Sequence, residues 1–206
     1  MSRLRILLAD DHKMFSQGIR SLLQDDHDVV TVEDGQALID VANSLNPEII
    51  IVDISMPVLN GFDAVRKLKK EGCSAKVIFL TMHADADLVA EALSCGASGY
   101  VLKQSVGEEL TAAITEVLAG KVYVPQLVGK ALDRSSKRSP AHSFNLTPRR
   151  REVLRLIAQG RTVKEIGALL GISTRTAESH KYEIMDALGI QTTAELVQYA
   201  MKLGLI

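Results

Sequence analysis

Three aspartates follow two apolar runs that have the composition of buried strands. Asp53 ends the apolar run of residues 49–52, and Asp10 and Asp11 follow the run of residues 4–9. Because the carboxyl ends of parallel strands lie at one edge of a sheet, the three carboxylates should converge there. Carboxylates crowded together repel one another unless a cation lies among them, and such oxygen ligands suit Mg2+. The sequence therefore predicts a Mg2+ site, with turn or helix-capping roles as the alternative.

Two further polar residues, Thr81 and Lys103, stand at the ends of predicted strands. Each has a role if Asp53 is a nucleophile that accepts a phosphoryl group. A lysine supplies a compact positive charge to a phosphate oxygen, and a threonine hydroxyl donates a hydrogen bond. A bound cation would offset the charge between the carboxylate and the incoming phosphate. Considered singly, Thr81 would be a strand terminus and Lys103 a solvated lysine, so this interpretation depends on the whole set.

Strand-like and helix-like patterns alternate five times in residues 1–120. Apolar runs bounded by turn residues indicate strands, and apolar residues three and four positions apart indicate helices. This alternation predicts an α/β fold with a doubly wound, five-stranded parallel sheet. Ser105, with Glu108 three residues later, predicts a capping box at the start of the last of these helices. The predicted strands are 4–9, 29–32, 49–53, 76–81 and 99–103, and the predicted helices are 12–24, 35–46, 62–70, 85–95 and 105–119.

The alternation stops after residue 120. Residues 121–145 contain two prolines and a Ser-Ser-Lys-Arg-Ser run, which is typical of a linker, and a short helix is predicted near residues 127–132. Residues 146–206 have only helical spacing. A short helix, a tight turn and a longer helix there form a helix-turn-helix pattern. The predicted domains are 1–120, the linker 121–145 and a small all-α domain 146–206, whose predicted helices are 147–160, 164–170, 173–188 and 193–203.

The net charge of −1 conceals an uneven distribution, because residues 1–120 carry −8, residues 121–139 carry +4 and residues 140–206 carry +3. This asymmetry favours two domains with different partners, and nucleic acid is one candidate for the basic part.

No apolar run approaches the roughly 20 residues of a membrane span, and the first residues lead directly into a strand. We therefore expect a cytoplasmic protein without a membrane partner. Cys73 and Cys95 fit no metal or redox spacing and are expected to be packing residues.

Residues 3–120 contain five short motifs at the predicted strand ends and the turns that follow them. They are Asp10-Asp11-His12, Asp53-Ile54-Ser55-Met56-Pro57, Asn60-Gly61, Thr81-Met82-His83 and Gly99-Tyr100-Val101-Leu102-Lys103. With these motifs, residues 3–120 resemble the receiver domain of two-component response regulators, a flavodoxin-like fold. The resemblance implies that Asp53 is the phospho-acceptor, that a sensor histidine kinase is the donor, and that Thr81 and Tyr100 form a switch pair. It assigns Mg2+ to Asp10, Asp11, Asp53 and the carbonyl of Ser55.

Residues 146–190 resemble the LuxR-type helix-turn-helix, and the two parts together are similar to the NarL/FixJ family of transcriptional regulators. The resemblance implies double-stranded promoter DNA as a partner and residues 173–188 as the recognition helix. Arg175 and Lys181 are candidates for phosphate or guanine, and Thr176 and Ser179 for phosphate or base edges. The full set of candidates for DNA contact is Thr174, Arg175, Thr176, Glu178, Ser179, Lys181 and Tyr182.

Several positions depart from the family pattern, among them Asp186-Ala187 and Gln191-Thr192-Thr193, which replace positions that are often basic in the family. Arg150 stands where many relatives have Glu, so a capping box opened by Thr147 lacks its reciprocal half. Glu178 stands where Lys is common. Fewer positive charges neutralise fewer phosphates, which predicts weaker and less salt-sensitive DNA binding by one monomer.

The resulting hypothesis is a switch in which a kinase phosphorylates Asp53, Thr81 and Lys103 engage the new group, and Tyr100 turns inward. A remodelled receiver surface would then release or pair the DNA-binding domains, with a homodimer as the expected active form.

This switch has three alternatives. A phosphatase of the haloacid dehalogenase type would require a second Asp where Ser55 stands, so we expect no enzyme. The second alternative is a phosphorylation-gated protein-interaction switch with weak or no DNA binding, which fits the reduced positive charge of the recognition helix. The third is a regulator that is controlled without phosphate, and the intact set of Asp10, Asp11 and Asp53 argues against it.

Overall fold

The computed structural model describes residues 3–84, 86–125 and 146–206. The chain forms two compact units, Met1–Lys137 and Arg138–Ile206, and each is described by itself. The short helix predicted near residues 127–132 and most of the predicted linker lie outside the described residues, so the predicted domain boundaries stay a prediction. Within the described ranges no helix has the length and apolar character that a bilayer crossing requires.

The first unit is built on a five-stranded sheet with the strand order β2-β1-β3-β4-β5, and all its strand pairs are parallel. Helices alternate with the strands; α1 contacts α5, and α2 contacts α3. The predicted doubly wound α/β fold is therefore confirmed. The elements are β1 Arg5–Ala9, α1 Lys13–Leu23, β2 Asp28–Val32, α2 Gly35–Leu45, β3 Ile49–Asp53, α3 Gly61–Lys70, β4 Lys76–Thr81, α4 Ala86–Ser94, β5 Gly99–Leu102 and α5 Val106–Leu118.

The central strand β3 is buried at all five positions, which explains its continuous apolar sequence. Alternate residues of the central strands pack on α1 and α5 in one hydrophobic cluster. The strand register also aligns the polar residues that follow the strands. Ala9 lies opposite Val52, so Asp10 follows beside Asp53. Thr81 lies opposite Leu102, so Lys103 follows at the same edge of the sheet.

Side-chain caps begin several helices, but the capping box predicted at Ser105 is wrong. Residues Lys103–Ser105 form a 3-10 turn that leads directly into α5. The Ser105 hydroxyl donates to the Leu102 carbonyl at 3.3 Å and makes no cap bond to the helix. Two caps that we did not anticipate hold the loops around the sheet edge. Asp34 accepts hydrogen bonds from two backbone N–H groups of α2, and Asn60 accepts one from Asp63 at the start of α3.

The second unit consists of helices in the described residues. Its buried core includes Val153, Leu154 and Ile166, together with Ala177 and Ile184 of the predicted recognition helix. Thr147 caps the first helix without a reciprocal partner, as predicted, whereas the capping boxes of Thr162 with Glu165 and Thr192 with Glu195 were missed. The helices are α6 Pro148–Ala158, α7 Val163–Leu170, α8 Thr174–Leu188 and α9 Thr193–Lys202.

An ion pair at the opposite end of the sheet gives a pH prediction. The Glu48 carboxylate accepts hydrogen bonds from the Arg5 guanidinium at 2.6 Å and from the Arg5 backbone N–H at 2.7 Å, and these lower the pKa of Glu48 from 4.5 to about 2. A lowered native pKa stabilises the fold above the unfolded value and loses this effect as pH falls through the native value. We expect Glu48→Gln to flatten the pH dependence of the unfolding free energy between pH 4.5 and 2, measured by urea unfolding. Equal slopes in the two proteins would contradict this.

Candidate functional site

Two buried aspartates and one lysine meet at the carboxyl edge of the sheet. The Lys103 Nζ lies 2.7 Å from the Asp10 Oδ2 and 2.8 Å from the Asp53 Oδ2. The side chains of Lys103, Asp10 and Asp53 are 7%, 0% and 5% exposed. Since a lone charge in such surroundings is costly, the lysine compensates carboxylates that would otherwise repel each other. The structure therefore brings together three of the residues that the sequence singled out.

Asp11 completes the acidic cluster at its solvent side, and His12 joins it. The His12 Nδ1 lies 2.9 Å from the Asp11 Oδ1 and 3.3 Å from the Asp10 Oδ1, and its backbone N–H donates to the same Asp10 oxygen at 2.8 Å. Ligand atoms of Asp10, Asp11, His12 and Asp53 all lie within 4.8 Å of one another. This donor set, rich in carboxylate oxygen, fits a hard divalent cation such as Mg2+. Sequence reasoning gave His12 no role, although its place directly after the acidic pair was the available signal.

The pKa values of the central pair reflect burial opposed by charge. Burial raises the pKa of Asp53, the Asp10 charge adds to the rise, and the hydrogen bond and charge of Lys103 act against it. Burial lowers the pKa of Lys103, but its hydrogen bonds to Asp10 and Asp53 and their charges outweigh this effect, so the net shift is upward. Lys103 is accordingly a cation at neutral pH, available to a negatively charged group on Asp53.

Close backbone packing holds Asp53 in place. The Gly61 N–H donates to the Ile54 carbonyl at 2.9 Å, and a Cβ at Gly61 would lie 2.1 Å from the Asp53 carbonyl oxygen. Only a glycine permits this approach of α3 to the end of β3. A backbone hydrogen bond from Ser55 acts on the Asp53 carboxylate. The assignment of the Ser55 carbonyl to the cation stays a prediction.

The loop after Asp53 contains a strained residue. Val58 has a φ of +65°, in the left-handed region that β-branched residues rarely adopt, and its side chain is 82% exposed. The Leu59 N–H donates to the Pro57 carbonyl at 2.7 Å across this residue, which forms a γ-turn-like loop. The strain therefore lies in the backbone, and the exposed side chain offers little packing to offset it.

We expect Val58→Asn to raise the free energy of unfolding by about 1 kcal/mol, because Asn tolerates the left-handed conformation and little buried contact is lost. Urea unfolding at pH 7 measures the change. Val30→Asn in β2 is the matched control, because Val30 lies in an extended strand, where Asn is expected to lower stability. A fall in stability for Val58→Asn would contradict the assignment of strain.

The two predicted switch residues lie beside this site and are linked through His83. Thr81 is buried, and its Oγ1 accepts a hydrogen bond from the His83 N–H at 3.1 Å. The Tyr100 hydroxyl donates to the His83 carbonyl at 2.9 Å, and Tyr100 is fully buried. In this structure the Tyr100 side chain points inward. The inward turn of Tyr100 on phosphorylation stays a prediction.

In the second unit, α7, a tight turn and α8 form the predicted helix-turn-helix. The Ile172 N–H donates to the Gly167 carbonyl at 2.9 Å, and a Cβ at Gly167 would lie 2.9 Å from the Ile172 carbonyl oxygen. The small residue at this point therefore sets how closely the turn approaches α7. Ser173 caps α8 by accepting from the Thr176 N–H at 3.0 Å.

The predicted DNA contacts fall into two groups. The exposed ones are Thr174, Arg175, Thr176, Glu178, Ser179 and Tyr182. Lys181 is half-buried instead, and its Nζ donates to the Thr193 Oγ1 at 2.9 Å, which ties α8 to α9. The Thr176 hydroxyl lies 2.8 Å from the Ser173 hydroxyl in the cap. Contact with DNA by Lys181 or Thr176 would therefore compete with a bond inside the domain.

Arg150, the departure noted from the family pattern, has a partner elsewhere. Its Nη2 lies 2.8 Å from the Glu183 Oε2, so the side chain joins α6 to α8 rather than completing the cap of α6. This ion pair is exposed to solvent, so it contributes little to stability. Arg150 therefore makes a contact between α6 and α8, where a glutamate at this position would complete the cap of α6.

Comparison with known proteins matches both units. The family described as "Response regulator receiver domain" matches residues 6–115, and "Bacterial regulatory proteins, luxR family" matches residues 144–200. The transcriptional regulatory protein MctR of Rhizobium johnstonii is 36% identical over 207 residues, which cover 99% of this chain and 96% of that protein. The oxygen regulatory protein NreC of Staphylococcus carnosus is 34% identical over 215 residues, covering 98% and 99%.

Solved structures give the same result. A structure described as "Conformational dynamism for DNA interaction in Salmonella typhimurium RcsB response regulator" has a TM-score of 0.68 and 30% identity, covering 98% of this chain and 99% of that one. Another, of RcsB from Salmonella enterica serovar Typhimurium bound to promoter P1flhDC in the presence of phosphomimetic BeF3−, has a TM-score of 0.67 and 31% identity, covering 98% and 99%. The chain therefore belongs to the NarL/FixJ family of two-component response regulators, with a receiver domain followed by a LuxR-type DNA-binding domain.

Proposed function

We propose that this response regulator is controlled by phosphorylation of Asp53, with a sensor histidine kinase as the donor. The observation that carries the proposal is the convergence of Asp10 and Asp53 on the Lys103 Nζ at 2.7 and 2.8 Å. An oxygen of the Asp53 carboxylate attacks phosphorus, and the bond from phosphorus to the donor's leaving group breaks. Lys103 is close enough to Asp53 to bind an oxygen of the transferred group.

The other residues of the site would bind and orient the group. Asp10, Asp11 and Asp53, with the Ser55 carbonyl, would hold Mg2+, which offsets negative charge during transfer. The Thr81 hydroxyl would donate to a phosphate oxygen. Its present bond from the His83 N–H leaves the hydroxyl proton for such a contact. The new group brings roughly −1.5 to −2 charges, and it shifts the protein only by binding one conformation better than another.

We propose that the phosphorylated form is a homodimer on promoter DNA. Its two recognition helices would enter successive major grooves about 34 Å apart. Support comes from RcsB, of which one structure is described as two dimers bound to two parallel DNAs. In this chain the exposed residues Arg175, Ser179 and Tyr182 lie three and four positions apart on α8, so they share one face.

A second candidate is a phosphorylation-gated protein-interaction switch with weak or no DNA binding. Two observations favour it. Glu178 stands exposed on the recognition helix, where a carboxylate repels phosphate, and Lys181 is engaged with Thr193. Both reduce the positive charge that α8 offers to DNA.

Mass spectrometry of the intact protein tests the phosphorylation step. After incubation with acetyl phosphate and Mg2+, we expect the mass to increase by one phosphoryl group. Asp53→Asn should abolish this gain, whereas Asp26→Asn, an exposed aspartate in the loop after α1, should leave it intact. Equal labelling of the Asp53→Asn variant would contradict the proposed acceptor.

Selection from a random-sequence duplex pool, followed by affinity measurement, distinguishes the two candidates. With beryllofluoride and Mg2+ we expect a defined operator, a dimer by sedimentation, and affinity that falls as salt rises. A dimer that enriches no sequence would instead favour the protein-interaction switch.

A further inference from the structure

The segment after α5 returns to the sheet and lies along the open edge of β5. We call residues 121–125 the strap. Gly120, with a φ of +79°, reverses the chain at the end of α5. The Tyr123 N–H donates to the Ser98 carbonyl at 3.0 Å, and the Tyr123 carbonyl accepts from the Tyr100 N–H at 2.9 Å. The strap thereby adds a one-residue parallel bridge, Gly99 with Tyr123, beyond the five strands.

Side-chain contacts hold the strap as well. The Tyr123 hydroxyl donates to the Glu109 Oε2 in the first turn of α5 at 3.2 Å. The Tyr123 ring is half-buried against the hydrophobic cluster, whereas Val122 is 57% exposed. A short edge segment with so few contacts belongs to the parts of a fold that open most readily.

A continuous series of hydrogen bonds connects the strap to the phosphorylation site. The Thr81 Oγ1 accepts from the His83 N–H, and the His83 carbonyl accepts from the Tyr100 hydroxyl. The Tyr100 N–H then donates to the Tyr123 carbonyl. Tyr100 therefore contacts the loop after β4 with its side chain and the strap with its backbone. In this conformation the buried tyrosine and the docked strap occur together.

We propose that docking of the strap on β5 is coupled to the state of the Asp53 site, so that the strap passes the receiver's state to the chain that leads to the DNA-binding unit. The coupling rests on the proposed phosphorylation of Asp53. A phosphoryl group that binds the Thr81 hydroxyl restrains the loop after β4. The bond from Tyr100 to His83 then favours the buried tyrosine and the docked strap. Undocking would free residues 121–125 from the first unit and lengthen the connection to the DNA-binding unit.

Amide hydrogen exchange of the full chain, followed by NMR, tests the coupling. The amides of Tyr100 and Tyr123 report docking directly, because each donates across the bridge. We expect beryllofluoride with Mg2+ to slow their exchange at least about fivefold, the lower end of typical allosteric coupling. Tyr100→Phe, which lacks the hydroxyl that bonds His83, should lose this response.

A pair of variants on α5 separates the strap from general effects. Glu109→Ala removes the acceptor of the Tyr123 hydroxyl, whereas Glu108→Ala removes the same charge from the same helical turn at an exposed position. We expect only Glu109→Ala to speed exchange of the Tyr100 and Tyr123 amides. Since coupling between sites is reciprocal, the same variant should weaken beryllofluoride binding in proportion to the docked fraction that it removes, measured by fluorine NMR titration.

The outcomes distinguish this coupling from the phosphorylation that it rests on. A bound fluoride signal with unchanged exchange at Tyr100 and Tyr123 overturns the coupling and leaves the proposed function standing. Equal behaviour of Glu109→Ala and Glu108→Ala also overturns the coupling. Absence of any Mg2+-dependent fluoride signal overturns both. Slower exchange that disappears in Tyr100→Phe, together with weaker fluoride binding by Glu109→Ala, establishes it.

Discussion

Lys103→Met is expected to lower the free energy of unfolding by about 3–5 kcal/mol at neutral pH in the absence of divalent cations. The lysine Nζ lies within 2.8 Å of one oxygen of each buried carboxylate, Asp10 and Asp53. Methionine fills a similar volume but leaves both carboxylates without their cation. Urea unfolding in the presence of EDTA measures the loss. Lys67→Met, on the exposed face of α3, is the control and should change stability by less than about 0.5 kcal/mol.

The deficit of Lys103→Met should depend on pH and on Mg2+. Burial already raises the pKa of Asp53 above its usual value of 3.8, and Lys103 opposes that rise. Without the lysine the pKa of Asp53 rises further. A carboxyl group with a raised native pKa is best accommodated at low pH and destabilises the fold as pH rises through that pKa. We therefore expect the deficit to shrink as pH falls from 7 towards 5, and to shrink when Mg2+ is added.

A second substitution identifies the cause of the deficit. Asp10→Asn in the Lys103→Met background removes one of the two carboxylates, so the double variant should be more stable than Lys103→Met alone. The alternative outcome is that the unfolding free energy of the double variant falls below that of the natural chain by the sum of the losses in the two single variants. Repulsion between Asp10 and Asp53 would then not be the cause, and lost packing of the lysine stem would explain the deficit. Lys103 lies with its Nζ 4.9 Å from the centre of the Phe15 ring, so this alternative has a physical basis.

The architecture of the first unit could be predicted because four of its strands, β1, β3, β4 and β5, are buried at nearly every position. The run at residues 49–53 has no polar position before Asp53, and the strand register then fixes which residues meet at the edge. Local patterns were less reliable. Ser105 and Glu108 have the spacing of a capping box, yet the 3-10 turn that joins β5 to α5 redirects the serine hydroxyl. Tertiary packing, which sequence spacing does not report, decided this position.

Some residues of the candidate sites could likewise be predicted from the sequence, and the positions of others depend on tertiary contacts. Asp10, Asp53, Lys103 and Thr81 follow from strand ends. His12 stands directly after the acidic pair in sequence, but the contacts of its ring with Asp10 and Asp11 depend on side-chain rotamers. On α8 the helical period predicts the shared exposed face, but it does not show that Lys181 bonds Thr193 of the next helix. The strap at residues 121–125 was assigned to the linker because its composition resembles one, and its contacts with β5 arise only after the sheet has formed.

Gly61→Ala is expected to destabilise the first unit by about 3 kcal/mol and to disturb the proposed phosphorylation site. A Cβ at this position would lie 2.1 Å from the Asp53 carbonyl oxygen and 3.1 Å from a methyl group of Val52. Both partners belong to the central buried strand, so the clash is relieved only by moving α3 or the end of β3, at the cost typical of overpacking. Because Asp53 is the last residue of β3, we also expect slower labelling by acetyl phosphate.

Gly18→Ala is a control that makes the same chemical change, but it is expected to raise the free energy of unfolding. Gly18 lies within α1, and a Cβ there would have no neighbour within 4 Å. Alanine favours the helix by about 0.5–1 kcal/mol over glycine, so this variant should be more stable than the natural chain. Urea unfolding and intact-mass labelling of the two variants are compared under the same conditions. If Gly61→Ala retains natural stability and labelling, α3 can move away from Asp53 freely, and close packing of Gly61 is not what positions the nucleophile.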